Sequence, residues 1–186
     1  MKGSRTASQS FNTLRAEIWK HRKLFREGIV VAFDPSCVSS SLPGYALMDK
    51  LKVQEYGVLS ISRSGPLHLR LQRIHEDLIT EFTPRVSVVA IEEVSATPLR
   101  TRAKAKKTGK TYMNPKNIHS LAQAVGTFKC SFPVKTPILN VSPLTWQSYQ
   151  RKYGWPWKKS DSADAYMILL TVRQIYIELE RAGGLK

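Results

Sequence analysis

The sequence predicts an α/β domain: an antiparallel meander of strands followed by parallel strands, with helices between and after them. Two stretches, IVVAFD at 29–34 and VSVVAIE at 86–92, are almost continuously apolar, which suits strands buried on both faces and is too short for helices. Between them Leu67, Leu71, Ile74, Leu78 and Phe82 recur at spacings of three and four, the pattern of an amphipathic helix. The 186 residues, 42% hydrophobic and 23% charged, have the length and balance of a chain built around one core.

The elements follow in order. Residues 1 to about 10 are small, polar and basic, which predicts a mobile arm, and Asn12 is placed to cap a helix in which Phe11, Leu14 and Ile18 share a face. Arm and helix span 1–27, and the domain proper 28–186. With Ser and Arg and almost no acids, the arm also has the composition of an organellar transit peptide; the simpler reading is an arm that packs on the core or touches nucleic acid. The first strand, 29–34, ends on Asp34, and after the turn-rich PSCVSSSLPG residues 45–49 and 53–62 read as two more strands of a meander. The helix that begins at Pro66 returns the chain to a strand ending on Glu92, a crossover that implies parallel pairing with the first strand. Residues 100–116 form a basic loop with little to bury. A helix over 117–128, a strand near 137–141, a short helix from Pro143 and a last helix complete the chain; Ser160 caps that helix, Ala165, Ile168, Leu169, Val172, Ile175, Tyr176 and Leu179 form its apolar face, and Gly183 and Gly184 stop it.

Charge narrows the partner. The 29 Lys and Arg against 14 Asp and Glu give +15, a surplus that favours a polyanion through phosphate neutralisation and counterion release, nucleic acid first. Cys37 and Cys130 form no CxxC pair, which predicts a reducing intracellular setting without a disulfide framework. The longest apolar runs fall far short of the ~20 residues that cross a bilayer, so a soluble protein without a membrane partner is expected, in the cytoplasm of its own or a host cell, or in an organelle if the arm is a transit peptide. There is no P-loop and no GxGxxG, and His21, His68, His75 and His119 lack metal-ligand spacing.

The acids carry the chemistry. In parallel sheets functional groups collect outside the carboxyl ends of strands, where Asp34 and Glu92 both stand. A period of two puts Glu92 on the face of Ala90 and Val88 and Glu93 on the other; a bulge at the strand end reverses that choice. In SDSADAYMILL, Asp161 and Asp164 lie three apart on nearly one helix face. Asp161 alone also reads as an ordinary helix-start acid, whereas Asp164 lies deeper, between Ala163 and Ala165, small neighbours that let another element approach. Four converging carboxylates repel one another unless cations neutralise them, and hard oxygen ligands suit Mg²⁺ or Mn²⁺; a pair of such ions suits phosphodiester hydrolysis.

In order and element type, AFDPS on the first strand, AIEEV on the fourth and DSADAYMILL on the last helix resemble the RuvC-like Holliday junction resolvases of the ribonuclease H-like superfamily, over about residues 29–178. The resemblance implies that Asp34, Glu92, Asp161 and Asp164 are the catalytic and metal-binding set, with two ions. It implies a mixed five-stranded sheet flanked by helices, and a homodimer that nicks opposing strands of a four-way DNA junction. The chain departs from the family at Ser36, where a Gly is common, at Ser95, near the place of an aromatic side chain that opens the junction, and in its longer basic loop. Arg100, Arg102, Lys104, Lys106, Lys107, Lys110 and Lys116 in that loop, Arg151, Lys152, and Lys158 and Lys159 before the last helix are the expected DNA contacts; Lys158 and Lys159 read equally as solvated loop charges. Trp146, Tyr149, Tyr153, Trp155 and Trp157 suit base stacking, with packing the expected role for at least half of them. Two other readings stand beside junction resolution: a nuclease of the same fold acting on forks, flaps or RNA in a hybrid, and a non-catalytic basic nucleic-acid-binding module.

Overall fold

In a computed structural model that describes residues 4–35, 42–61, 64–93, 115–156 and 160–185, the chain is an α/β domain with a five-stranded mixed sheet flanked by helices. Helices α1 (Ser4–Lys20) and α2 (Arg22–Glu27) precede strands β1 (Ile29–Asp34), β2 (Gly44–Asp49) and β3 (Lys52–Val58). Helix α3 (Leu67–Asp77) ends in a π-helical turn over Leu78–Phe82 and leads to β4 (Val88–Glu92). Helix α4 (Pro115–Cys130), strand β5 (Ile138–Val141), and helices α5 (Pro143–Tyr153) and α6 (Asp161–Arg181) follow. The sheet order is β3-β2-β1-β4-β5; β1, β2 and β3 pair antiparallel, while β4 pairs parallel with both β1 and β5.

Both faces of the sheet are covered, which is why β1 and β4 read as unbroken apolar runs. One face presents small or slender side chains, Val30, Ala32, Ala46, Val88 and Ala90, to Ala165, Ile168, Leu169 and Val172 of α6, with Leu14 and Ile18 of α1 and Phe25 of α2 in the same core. The other face presents Val31, Phe33, Leu47, Val89 and Ile91 to Ile74 and Leu78 of α3 and its π turn, and to Ala124 and Phe128 of α4. Phe33 meets Phe82 edge-on at 5.3 Å and Phe128 at 4.9 Å between ring centres. The alternation of small and large along β1 therefore sets how closely each layer of helices approaches, and α6 comes close over the alanines.

Two local expectations are corrected. Asn12 does not cap a helix: α1 starts at Ser4, and Asn12 lies exposed in its middle. The buried Leu14 and Ile18 anchor α1 to the sheet, and nothing in the residues before Asn12 breaks a helix. Strand β3 stops at Val58 instead of Ser62, because the Leu59 N–H turns to the Pro43 carbonyl (2.9 Å) and the Ile61 N–H to the Leu59 carbonyl (2.9 Å), a tight bend that buries Leu59 and Ile61. The helix after Pro66 widens at its end, where the Thr83 N–H donates to the Leu78 carbonyl five residues back (2.9 Å) and Leu78 and Phe82 both face the core. Among the described residues no helix is long and apolar enough to cross a membrane.

Candidate functional site

Parallel pairing of β1 with β4 matches Phe33 to Ile91, so the next residues, Asp34 and Glu92, stand at adjacent strand ends on the carboxyl edge of the sheet. Counting by twos, Asp34 follows Val30 and Ala32, and Glu92 follows Val88 and Ala90, so both acids belong to the face that α6 covers. Asp34 is buried and Glu92 is partly buried; Glu93, one residue on, is exposed, and its N–H donates to the Val141 carbonyl (2.9 Å).

The third acid arrives from α6. Ser160 caps that helix, its hydroxyl accepting from the Ala163 N–H at 3.2 Å, which fixes where the first turn begins. Asp164 is partly buried in this turn, just before Ala165, which packs in the same core as Ala32 and Ala90. The proximity is electrostatic as well as topological: burial first, and then the charge of Asp164, push the Glu92 carboxyl above the usual glutamate range, while a hydrogen bond from Trp146 acts in the opposite sense. That bond runs from indole Nε1 to Glu92 Oε1 at 2.9 Å.

The structure thus brings Glu92 and Asp164 into mutual influence and sets Asp34 at the neighbouring strand end. Among the described residues no three His, Cys, Asp or Glu side chains are gathered to hold one ion; Asp161 begins α6, but its side chain lies outside the described residues. The donor chemistry fits a hard divalent cation: all the groups are carboxylates, and a cation between them would offset both the burial of the Glu92 charge, the larger cause of its raised pKa, and the smaller repulsion from Asp164.

Of the expected DNA contacts, Arg100, Arg102, Lys104, Lys106, Lys107, Lys110, Lys158 and Lys159 lie outside the described residues, as does the Lys116 side chain at the start of α4. Arg151 is exposed on α5. Lys152 is exposed too, but its ammonium donates to Glu178 Oε1 (2.9 Å) and sits over the rings of Tyr149 (5.3 Å) and Tyr153 (4.9 Å), so part of its charge is answered within the protein. Trp146 and Tyr149 are buried, and Trp155 is partly buried against the same core and stacked on Tyr153 at 5.4 Å. Ser36, Ser95 and Trp157 lie outside the described residues.

Two partnerships were not foreseen from the sequence. One is the indole of Trp146 on Glu92; the other is a cage around Glu178 on α6, which accepts from the Tyr149 hydroxyl (2.8 Å), the Lys152 ammonium and the Tyr153 hydroxyl. The available signal for the first was the short link from β5 into α5: pairing of Glu92 with Val141 starts α5 beside the acid, and Trp146 lies one turn into it. No protein-family model and no curated protein matches the chain.

Proposed function

We propose that the chain is a metal-dependent endonuclease of the ribonuclease H-like fold, acting as a homodimer on branched DNA, with the four-way junction as its first substrate. The observation that carries this reading is the delivery of Asp34, Glu92 and Asp164 to one sheet edge by two strand ends and a helix start, in a chain whose net charge is +15. Acids at one sheet edge of so basic a protein suit cations, while the basic surplus suits phosphates.

In this reading Asp34, Glu92, Asp161 and Asp164 hold two Mg²⁺ or Mn²⁺ ions. Bound there, the ions supply an activated water and stabilise the leaving oxygen of the phosphodiester. The protein's own part is placement. Strands β1 and β4 fix two carboxylates side by side, α6 sets the third over them, and the helical covering keeps bulk water from the inner side of the site. The cations of 100–116 supply charge that draws the phosphate backbone to the protein.

The test is cleavage of a mobile four-way junction, a fork, an RNA–DNA hybrid and plain duplex in Mg²⁺. Junction cleavage that stops in chelator is expected. Asp34→Asn is expected to abolish cleavage, by about 10³-fold or more, while junction binding persists or tightens as repulsion of phosphate falls. Equal cleavage by wild type and Asp34→Asn refutes the metal site, and preference for the hybrid refutes the junction assignment.

A further inference from the structure

Glu92 has a neutral partner fixed in place by the core. Trp146 is 5% exposed and packs among Val141, Tyr149 and Ala165, so its ring position is set by apolar neighbours and not by the acid it touches. The chain delivers it with little freedom: Glu92 and Val141 are register partners on β4 and β5, Ser142 starts the next helix at once with Pro143 at its first position, and the Trp146 N–H donates to the Ser142 carbonyl (3.3 Å). From there indole Nε1 donates to Glu92 Oε1 at 2.9 Å.

The choice of donor matters chemically. An indole N–H is a donor only and carries no charge. It orients a carboxylate without cancelling the negative charge that a cation needs, whereas a Lys or Arg in that place would answer the charge itself. With Oε1 held by the indole, the carboxylate rotor is fixed and Oε2 is the oxygen left for a cation. We infer that Trp146 is a positioning residue for the metal site, a neutral clamp that presents Glu92 for one-oxygen ligation. This rests on the metal-site reading above and extends it to a residue outside the carboxylate set.

Trp146→Phe keeps the ring that packs the core and removes only the N–H, so it separates positioning from packing. The measurement is Mn²⁺ affinity by calorimetry, beside the melting temperature in chelator. Loss of a partner that orients a metal ligand weakens binding by about 10- to 100-fold. We expect that loss in Trp146→Phe, a melting temperature in chelator close to that of wild type, and unchanged Mn²⁺ affinity in Trp19→Phe, whose ring packs against Gly184 at the far end of α6. Wild-type affinity in Trp146→Phe overturns the positioning role while leaving the metal site intact. Absence of Mn²⁺ binding in the wild type overturns both.

Should Trp146→Phe not fold, the wild-type protein supplies a second measurement. The indole N–H resonance of Trp146, assigned by substituting the other three tryptophans singly, is expected to move on Mg²⁺ addition. Indifference of that resonance to a saturating cation overturns the proposal.

Discussion

Glu92 binds its proton more tightly than an ordinary glutamate, chiefly because it is buried, with Asp164 adding to the effect and the Trp146 indole N–H opposing it. A group whose folded pKa lies above its unfolded one stabilises the fold at low pH and loses that contribution as pH rises through the folded pKa. In chelator, therefore, Glu92→Gln should melt higher than wild type at neutral pH, and the margin should shrink towards zero as pH falls below the ordinary carboxylate range. Each kcal/mol of difference corresponds to about 2–4 °C in a chain of this size. On the proposed metal site, saturating Mn²⁺ should reverse the order, since only the wild type would retain the Glu92 carboxylate as a ligand. Scans of both proteins across pH would show this, and a margin independent of pH would contradict it. Asp34 and Glu92 were legible as a pair because each ends an apolar strand, and strand ends are where the physics of parallel sheets collects polar groups. Trp146 was not, because its bond to Glu92 spans 54 positions and depends on a strand register that local periodicity does not encode.

At the scale of elements, α5 and α6 are joined by the Glu178 cage. Burial alone would raise this carboxyl, but the hydrogen bonds from Tyr153, Lys152 and Tyr149 together outweigh it and hold the group below the usual glutamate range. The sign is opposite to that of Glu92: stability is present above the unfolded pKa and is lost as pH falls through the lowered folded one. Glu178→Gln should cost about 1–2 kcal/mol at neutral pH. Denaturant titration should find this gap closed in acid, and a gap that survives there would show that the charge is not what the cage recognises. Because α5 carries Trp146, loosening this joint should also weaken Mn²⁺ binding modestly. Helices and strands with two-sided burial were the elements most legible in the sequence, as Ile29–Asp34 shows. Strand β3, an edge strand with mostly exposed residues, was misjudged at its end because a bend that buries Leu59 and Ile61 resembles continued strand alternation. Helix α1 was begun too late because Asn12 is a good local cap, and packing of Leu14 and Ile18 overrides local preference.

For the whole molecule, the +15 charge implies that nucleic-acid binding, on the proposed function, is salt-sensitive. Replacing Lys104, Lys106 and Lys107 by Ala should lower junction affinity and flatten the slope of log K against log salt, by up to about 0.9 for each phosphate contact removed. Fluorescence anisotropy at several salt concentrations measures it, and an unchanged slope would show that these lysines contact no phosphate. The α/β class, the meander and the parallel pairing of β1 with β4 were legible because a crossover between two buried strands admits few topologies. How far the carboxylates stand from one another was not, since that depends on the seating of α6 over Ala32 and Ala90. That seating also orders events in time. Asp34 comes early in the chain and Asp164 near its end, and the docking of α6 on the sheet brings their elements together, so a ribosome-bound chain that has made only the sheet carries half of the proposed metal-binding set. On the metal-site reading, affinity for divalent cations should then appear late in refolding, with the long-range contacts that join the first strand to the last helix, which would make the ion a reporter of completed folding.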